Sequence, residues 1–300
     1  MEQQIARQKE KTIYLLMTLS TLFWSGAFIA GKFSVKEFPP FTLTFLRFFI
    51  ASAIIFIIMI KVEKEWKITL KDVPVFLTLG IVGMFGYHVM FFMALKYTSA
   101  INSSLIAATN PLMTAILASF FLGDKMSYKK IGPVLLSLSG VALTITGGNF
   151  KEVVQAGLNI GDLFMLAAVF LWAAYSVLSK KIGGKYSPIV LTAYSFISCS
   201  IILIPFVIWE NPASFIPSST ISGWTAVFYM AIFPSVIGYL VQQHSIKIIG
   251  ARRTMIFVNL VPVFSIILSL LILKETLSPF KLLSSLLIIV GVYFTNRLGN

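Results

Sequence analysis

Ten apolar runs alternate with short polar connections along this chain, at 12–32, 40–60, 73–95, 99–122, 129–147, 160–180, 188–209, 222–245, 252–273 and 279–297. Each is near the roughly 20 residues that an α-helix needs to cross a hydrocarbon core. The longest connections, 61–72, 148–159 and 210–221, leave no room for a soluble domain. The first run follows Arg7, Lys9 and Lys11 and outlasts the ~7–15 apolar residues of a secretory signal. Phe28 and Ala30 make a poor cleavage site, so this run is expected to stay as the first helix.

The pattern occurs twice. Shifted by 151 residues, Lys96 falls on Lys247, Ala100 on Ala251, Pro111 on Pro262, Asp124 on Glu275, Ser127 on Ser278, Lys130 on Lys281 and Gly140 on Gly291. Shifted by 148, Trp24 falls on Trp172, Lys32 on Lys180, Pro40 on Pro188 and Ser52 on Ser200. Near the third run the offset is 152, pairing Gly86-Tyr87 with Gly238-Tyr239. Apolar matches are cheap, so only this polar, Pro and Gly framework carries weight. Two five-helix copies are expected, residues 1–147 and 160–297. Five is an odd number, so consecutive copies must cross the membrane with opposite topology, an arrangement suited to alternating access.

Composition agrees with a membrane and excludes much else. The 300 residues are 57% hydrophobic and 12% charged, with mean hydropathy +0.89; soluble domains carry about 25% charged residues. The net charge of +13 resides in short connections rather than on one basic face, so no nucleic-acid partner is expected. With the N-terminus inside, seventeen Lys and Arg fall on the cytoplasmic side and six outside, with Arg47 within a run. Both termini are therefore expected in the cytoplasm of a cell-membrane protein. Cys199 is alone, which removes disulfides and cysteine-based metal sites; no metal or cofactor is expected.

Several features converge on one family. Each copy has a Trp in its first helix, a Pro opening the second, and A…P…L-G-D or A…P…L-K-E in the fourth. S-x-x-K and a Gly-Val near the end of the fifth complete the pattern. This framework resembles the EamA-like transporters of the drug/metabolite transporter superfamily across nearly the whole chain. Arg47, in P-F-T-L-T-F-L-R-F, matches the first-copy pattern, and Ser195 stands at its place in the second. The resemblance implies an all-α membrane protein, ten transmembrane helices as two inverted five-helix repeats around a central cavity. It also implies export of small metabolites, amino acids being the best-known class. Lys274, where the first copy has Gly123, is expected to alter a turn.

Candidate site residues follow from polar groups at mid-run. Pro111 and Pro262 deprive the carbonyls of Ala107 and Val258 of their helical donors and are expected to kink their helices. Such acceptors need protein, water or ligand in hydrocarbon. Thr109, Asn110 and Asn259 lie within a turn of these prolines; amides offer donors and acceptors together, for a zwitterionic solute or a neighbouring helix. Tyr239, Gln242 and Gln243 make one polar face at i, i+3 and i+4. His88 is the imidazole deep within a run, open to substrate binding, proton coupling or simple packing. Trp24, Trp172 and Tyr175 could wall a cavity or merely pack. Lys32 and Lys180 read as interfacial anchors. Arg47, about 10 Å into its helix, reads as a structural cation snorkelling outward.

No acidic residue falls at mid-run, so a carboxylate proton relay has no candidate. Neutral or zwitterionic solutes suit such a site better than cations. The expected partners are a small-molecule metabolite and the lipid bilayer, with monomer and homodimer both open. A lipid-linked sugar flippase is the alternative within transport. An intramembrane enzyme would need a catalytic pair or metal ligands that the runs lack.

Overall fold

The computed structural model describes residues 2–123, 128–148, 157–182 and 185–297, and among them every regular element is helical. Eight helices are long and apolar enough to cross a membrane. They are α1 (Glu2–Ser34), α2 (Pro40–Val62), α3 (Val73–Tyr97), α4 (Ala100–Phe121), α6 (Ile160–Ile182), α7 (Pro188–Trp209), α8 (Ile221–Gly250) and α9 (Arg253–Leu273). Two shorter apolar helices are α5 (Ile131–Thr146) and α10 (Pro279–Arg297). At 1.5 Å per residue the 16 residues of α5 reach about 24 Å, short of a ~30 Å core. Asp124 and Ser127 lie outside the described residues.

Local chemistry sets the starts. Proline begins α2 and α7, where no helical donor is needed. The side chains of Ser99, Ser187 and Thr220 cap α4, α7 and α8 by accepting from the backbone N–H three residues on. Gly250, at φ +82°, separates α8 from α9.

Two features interrupt the helices. α4 breaks at Ala108–Thr109, with Pro111 in the first turn of its second half; α9 breaks at Asn259–Leu260, with Pro262 likewise placed. Proline is best tolerated in a first turn, and the two breaks place Pro111 and Pro262 there. In addition, α3 widens to π-helical geometry over Gly80–Gly86, α8 over Ala231–Ile237 and α9 over Ser269–Leu273, a feature the apolar pattern does not reveal.

Packing is paired. α2 lies on α7, and α5 lies on α10. α1 packs on α8 and α9, while α6 packs on α3 and α4; α4 also meets α9. At the α5–α10 contact, a Cβ added to Gly140 would stand 2.7 Å from Ile288 Cγ1 and 2.9 Å from the Ser284 carbonyl. One added to Gly291 would stand 2.6 Å from the Pro133 carbonyl and 2.7 Å from the Ser137 amide. Small residues thus let the two backbones touch, which is how helices associate in lipid.

One end of the bundle, around Lys32, is laced by carboxylates acting between distant segments. Glu37 accepts from Thr220 N and Oγ1, and Glu210 from Phe41 N, Thr42 N and Thr42 Oγ1. Glu275 accepts from Ala100 N (2.7 Å) and Ile101 N (3.0 Å). Each carboxylate sits at a helix N-terminus, where free amides and the dipole favour negative charge. Lys32 donates to the carbonyls of Leu95 and Thr98 at the end of α3, so it is a helix cap rather than a free interfacial anchor. The dipole's negative end explains the choice. Buried Asp162 accepts from Thr98 Oγ1 at 2.6 Å.

At the opposite end Asp72 accepts from Thr69 N, Thr69 Oγ1, Lys185 Nζ and Tyr186 OH. The Lys185 ammonium, with the other donors, holds the Asp72 carboxyl well below the usual carboxylate range, and Asp72 raises Lys185 in return.

In the turn after α9 Lys274 adopts φ +54°, left-handed like Gly123 at +71°; the residues that follow Gly123 lie outside the described ones. Glu275 caps α4 from this turn, which gives the chain reason to hold Lys274 there.

Candidate functional site

The broken and π-helical stretches bring several polar and aromatic side chains together. Arg47, on α2, does not snorkel: it is 4% exposed, and its Nε donates to Ser235 Oγ at 2.9 Å. Ser235 lies in the π-helical stretch of α8 and donates onward to the Met230 carbonyl. Among the described residues Arg47 makes no ion pair and no other side-chain hydrogen bond. Its charge faces Tyr239, Tyr87 and Cys199 from three different helices, with His88 also near. A cation held in the interior without a counter-ion is costly unless its donors find partners.

His88 is buried beside this cation. Its Nδ1 is 3.0 Å from the Met84 carbonyl, and its ring meets Phe48 edge-on at 4.6 Å and Tyr87 at the same distance. Next to it stands an aromatic wall. Trp172 lies 4.9 Å from Tyr87, 5.3 Å from Tyr175 and 6.4 Å from Tyr239 between ring centroids. Tyr87, Trp172, Tyr175 and Tyr239 are half-buried, so the wall keeps an accessible face. Tyr175 lies over Gly83, in the space a larger side chain would fill.

The first break contributes polar groups to the same region. Asn110 neighbours Tyr87, and its Oδ1 is buried without a hydrogen-bond partner among the described residues. Thr109 turns its hydroxyl back to the Ile106 carbonyl at 2.6 Å, as hydroxyls at helix ends commonly do. At the second break, Asn259 is half-buried and Ser25 Oγ donates to the Val261 carbonyl at 2.9 Å. Gln242 and Gln243 continue the polar face of α8, half-buried and without side-chain hydrogen bonds among the described residues.

Trp24 stands apart from this wall. Its Nε1 donates to the Pro234 carbonyl at 3.0 Å, and no ring pairs with it among the described residues. It holds the same π-helical stretch that Arg47 holds through Ser235. Tyr87, Ser235 and Cys199 escaped the sequence reading. The Gly86-Tyr87 and Gly238-Tyr239 pairs were the available signal, since they place an equivalent tyrosine just beyond the π-helical stretches of α3 and α8.

Eight long apolar helices with polar groups gathered on interrupted segments define a multi-pass membrane protein. Comparison then identifies its kind. The model of the EamA-like transporter family matches residues 11–146 and again 159–297. An uncharacterized transporter of Bacillus subtilis, YyaM, is 34% identical over 285 residues, covering 95% of this chain and 93% of the relative. A probable terminal-alkyne amino-acid exporter of Streptantibioticus cattleyicolor is 23% identical, covering 96% and 94%. A solved crystal structure matches the fold with TM-score 0.66 at 23% identity, covering 96% and 98% of the two chains. The chain belongs to the EamA-like transporter family, within the drug/metabolite transporter superfamily, whose members are transporters and not enzymes.

Proposed function

We propose that this protein exports small neutral or zwitterionic metabolites, amino acids foremost, across the cell membrane by alternating access. The observation that carries this reading is the pair of broken helices, α4 at Ala108–Thr109 and α9 at Asn259–Leu260, each with its proline in the first turn beyond. Half-helices that meet at mid-membrane are where transporters bind their solutes. The amino-acid exporter among the relatives supports the class of solute.

The working geometry is two inverted five-helix repeats, residues 1–147 and 160–297, with both termini cytoplasmic. Its support is that the helix pairings stay the same when the halves exchange: α1 with α8 becomes α6 with α3, and α2 with α7 maps onto itself. The breaks and the π-helical stretches of α3 and α8 also recur at offsets of about 151 residues, while that of α9 has no counterpart in α4. In this arrangement the Lys32 end is extracellular, and its carboxylate caps hold that side closed. Binding residues are Asn110, Trp172, Tyr175, Tyr239, Gln242, Gln243 and Asn259, while Thr109 and Trp24 shape the backbone around them. His88 is enclosed by rings and takes a positioning role, so transport runs down the solute gradient.

The test is efflux from proteoliposomes loaded with amino acids, alongside metabolite profiles of cells and medium with and without overexpression. Solute-specific efflux lost in the Asn110→Leu variant is the expected result. If no solute changes its distribution, the exporter reading falls. A pH-gradient dependence that disappears in His88→Ala would replace downhill transport with proton coupling.

A further inference from the structure

We infer that Arg47 is the carboxylate-binding group of the transport site, which makes the solute a carboxylic acid or amino acid rather than an uncharged metabolite. The inference deepens the export reading and rests on it for the location of the pathway. It begins with the hydrogen-bond inventory of one side chain. A guanidinium presents five N–H donors in a planar fork and stays charged at any physiological pH. Here Nε donates to Ser235, and the four N–H groups on the two terminal nitrogens have no protein acceptor among the described residues. The residue is only 4% exposed, and its terminal nitrogens are not among the fully buried unpartnered atoms, so they keep contact with a small accessible space.

Among the described residues no carboxylate neutralises the cation; the Phe48 ring, 5.4 Å from the guanidinium carbon, offers it only a π face. The titratable side chains facing it are Tyr239, Tyr87, Cys199 and His88, and none of these residue types is ordinarily anionic at neutral pH. A structural cation would be expected to carry a buried carboxylate partner, because removing one member of such a pair is strongly destabilising. Glu37, Asp72, Asp162, Glu210 and Glu275 are engaged at the two ends of the bundle instead. The counter-ion is therefore supplied by the transported solute.

The surroundings select among oxyanions. One guanidinium, with no second Arg or Lys facing it, balances a singly charged carboxylate and leaves a phosphate dianion half neutralised. The neighbouring Trp172, Tyr87, Tyr175 and Tyr239 rings offer apolar area to the rest of the solute. Asn110, which interacts with the Tyr87 hydroxyl, adds an amide at the first break, with its Oδ1 fully buried in this arrangement. Fork, wall and amide together match an α-amino acid. The Ser235 bond acts as the positioning contact: it fixes the Nε side of the fork against α8 and leaves the terminal nitrogens for the solute.

The experiment is ligand binding to the purified full chain in detergent micelles, measured by thermophoresis. The probes are the twenty common amino acids, each paired with its carboxamide, with phenylacetate and phenylphosphonate added. A charge-assisted fork contributes about tenfold or more in affinity. The best amino acid is therefore expected to bind at least about tenfold tighter than its amide. Arg47→Lys keeps the charge without the fork and is expected to lose most of that preference with its thermal midpoint little changed. Ser235→Ala, a milder variant, is expected to weaken the preference several-fold. Equal binding of acid and amide by the wild type, or an undiminished preference in a folded Arg47→Lys protein, overturns the inference and leaves export standing. Tighter binding of phenylphosphonate than phenylacetate overturns the carboxylate assignment. Binding of phenylacetate but of no amino acid keeps Arg47 in its role and removes the amino-acid export reading.

Discussion

Lys274 sits in the left-handed region at φ +54°, where an L-residue is disfavoured by about 1–2 kcal/mol. Lys274→Gly is therefore expected to raise the thermal midpoint by an amount equivalent to roughly 1 kcal/mol. Chemical denaturation of the purified protein checks it, and a lower midpoint would mean that the lysine side chain makes a compensating contact. Asp72 gives a prediction in pH. Unfolded, it titrates near about 3.9; folded, Lys185 and three further donors hold it lower. Its stabilisation is thus present above that ordinary value and lost as the pH falls through the folded one. Lys185 shows the opposite sign, with its share lost only as the pH rises through its raised value, and its exposure of 67% keeps that share small. Asp72→Asn should melt below the wild type at pH 7, with the gap closing below about pH 4. At this scale the sequence was only half legible. The depth of Arg47 follows from counting along a helix, but its partner Ser235 is 188 residues away. Lys32 looked like a surface anchor because nothing local announces that the carbonyls at the end of α3 lie within its reach.

At the scale of elements, α5 and α10 illustrate how little side chain a membrane interface needs. Gly140→Ala would press a methyl group against backbone atoms of Ser284 and Ile288, which cannot rotate away. Gly291→Ala would do the same against Pro133 and Ser137. Each should destabilise by about 1–3 kcal/mol. The double variant should lose less than the sum, because the first methyl already parts the helices. Thermal melts of the four proteins in detergent decide it, and strict additivity would show two independent contacts. The prolines allow a second prediction. Pro111→Ala with Pro262→Ala restores two helical donors, so efflux should fall about fivefold or more while the melting midpoint holds or rises. Helix positions and the two breaks were readable because hydrophobic runs and mid-run prolines are local signals. The π-helical stretches were not, since their hydrogen-bond slip leaves the apolar content of α3 and α8 unchanged.

For the molecule as a whole, in the proposed alternating-access cycle, the ties at the Lys32 end set the balance between arrangements. Glu275→Gln weakens the acceptor on Ala100 N and Ile101 N, and loss of such a cap is worth about 0.5–2 kcal/mol. That is a several-fold change in population, so a cysteine placed at Ala108 should label faster with an impermeant maleimide added from that end. An unchanged rate would show that the cap serves stability alone. Charge distribution yields only an expected orientation, whereas these ties depend on groups such as Glu210 and Thr42, 168 residues apart, and no periodicity reports them. The π-helical stretches of α3 and α8 have a further mechanical consequence. A π-turn holds one surplus residue, and absorbing or releasing it turns the rest of the helix by about 100° while advancing it about 1.5 Å. Tyr87 directly follows one stretch, and Tyr239 stands one residue beyond Gly238 after the other. A slip of one hydrogen bond in either helix would swing its tyrosine off Trp172 like a cam, dismantling the aromatic wall without parting any pair of helices.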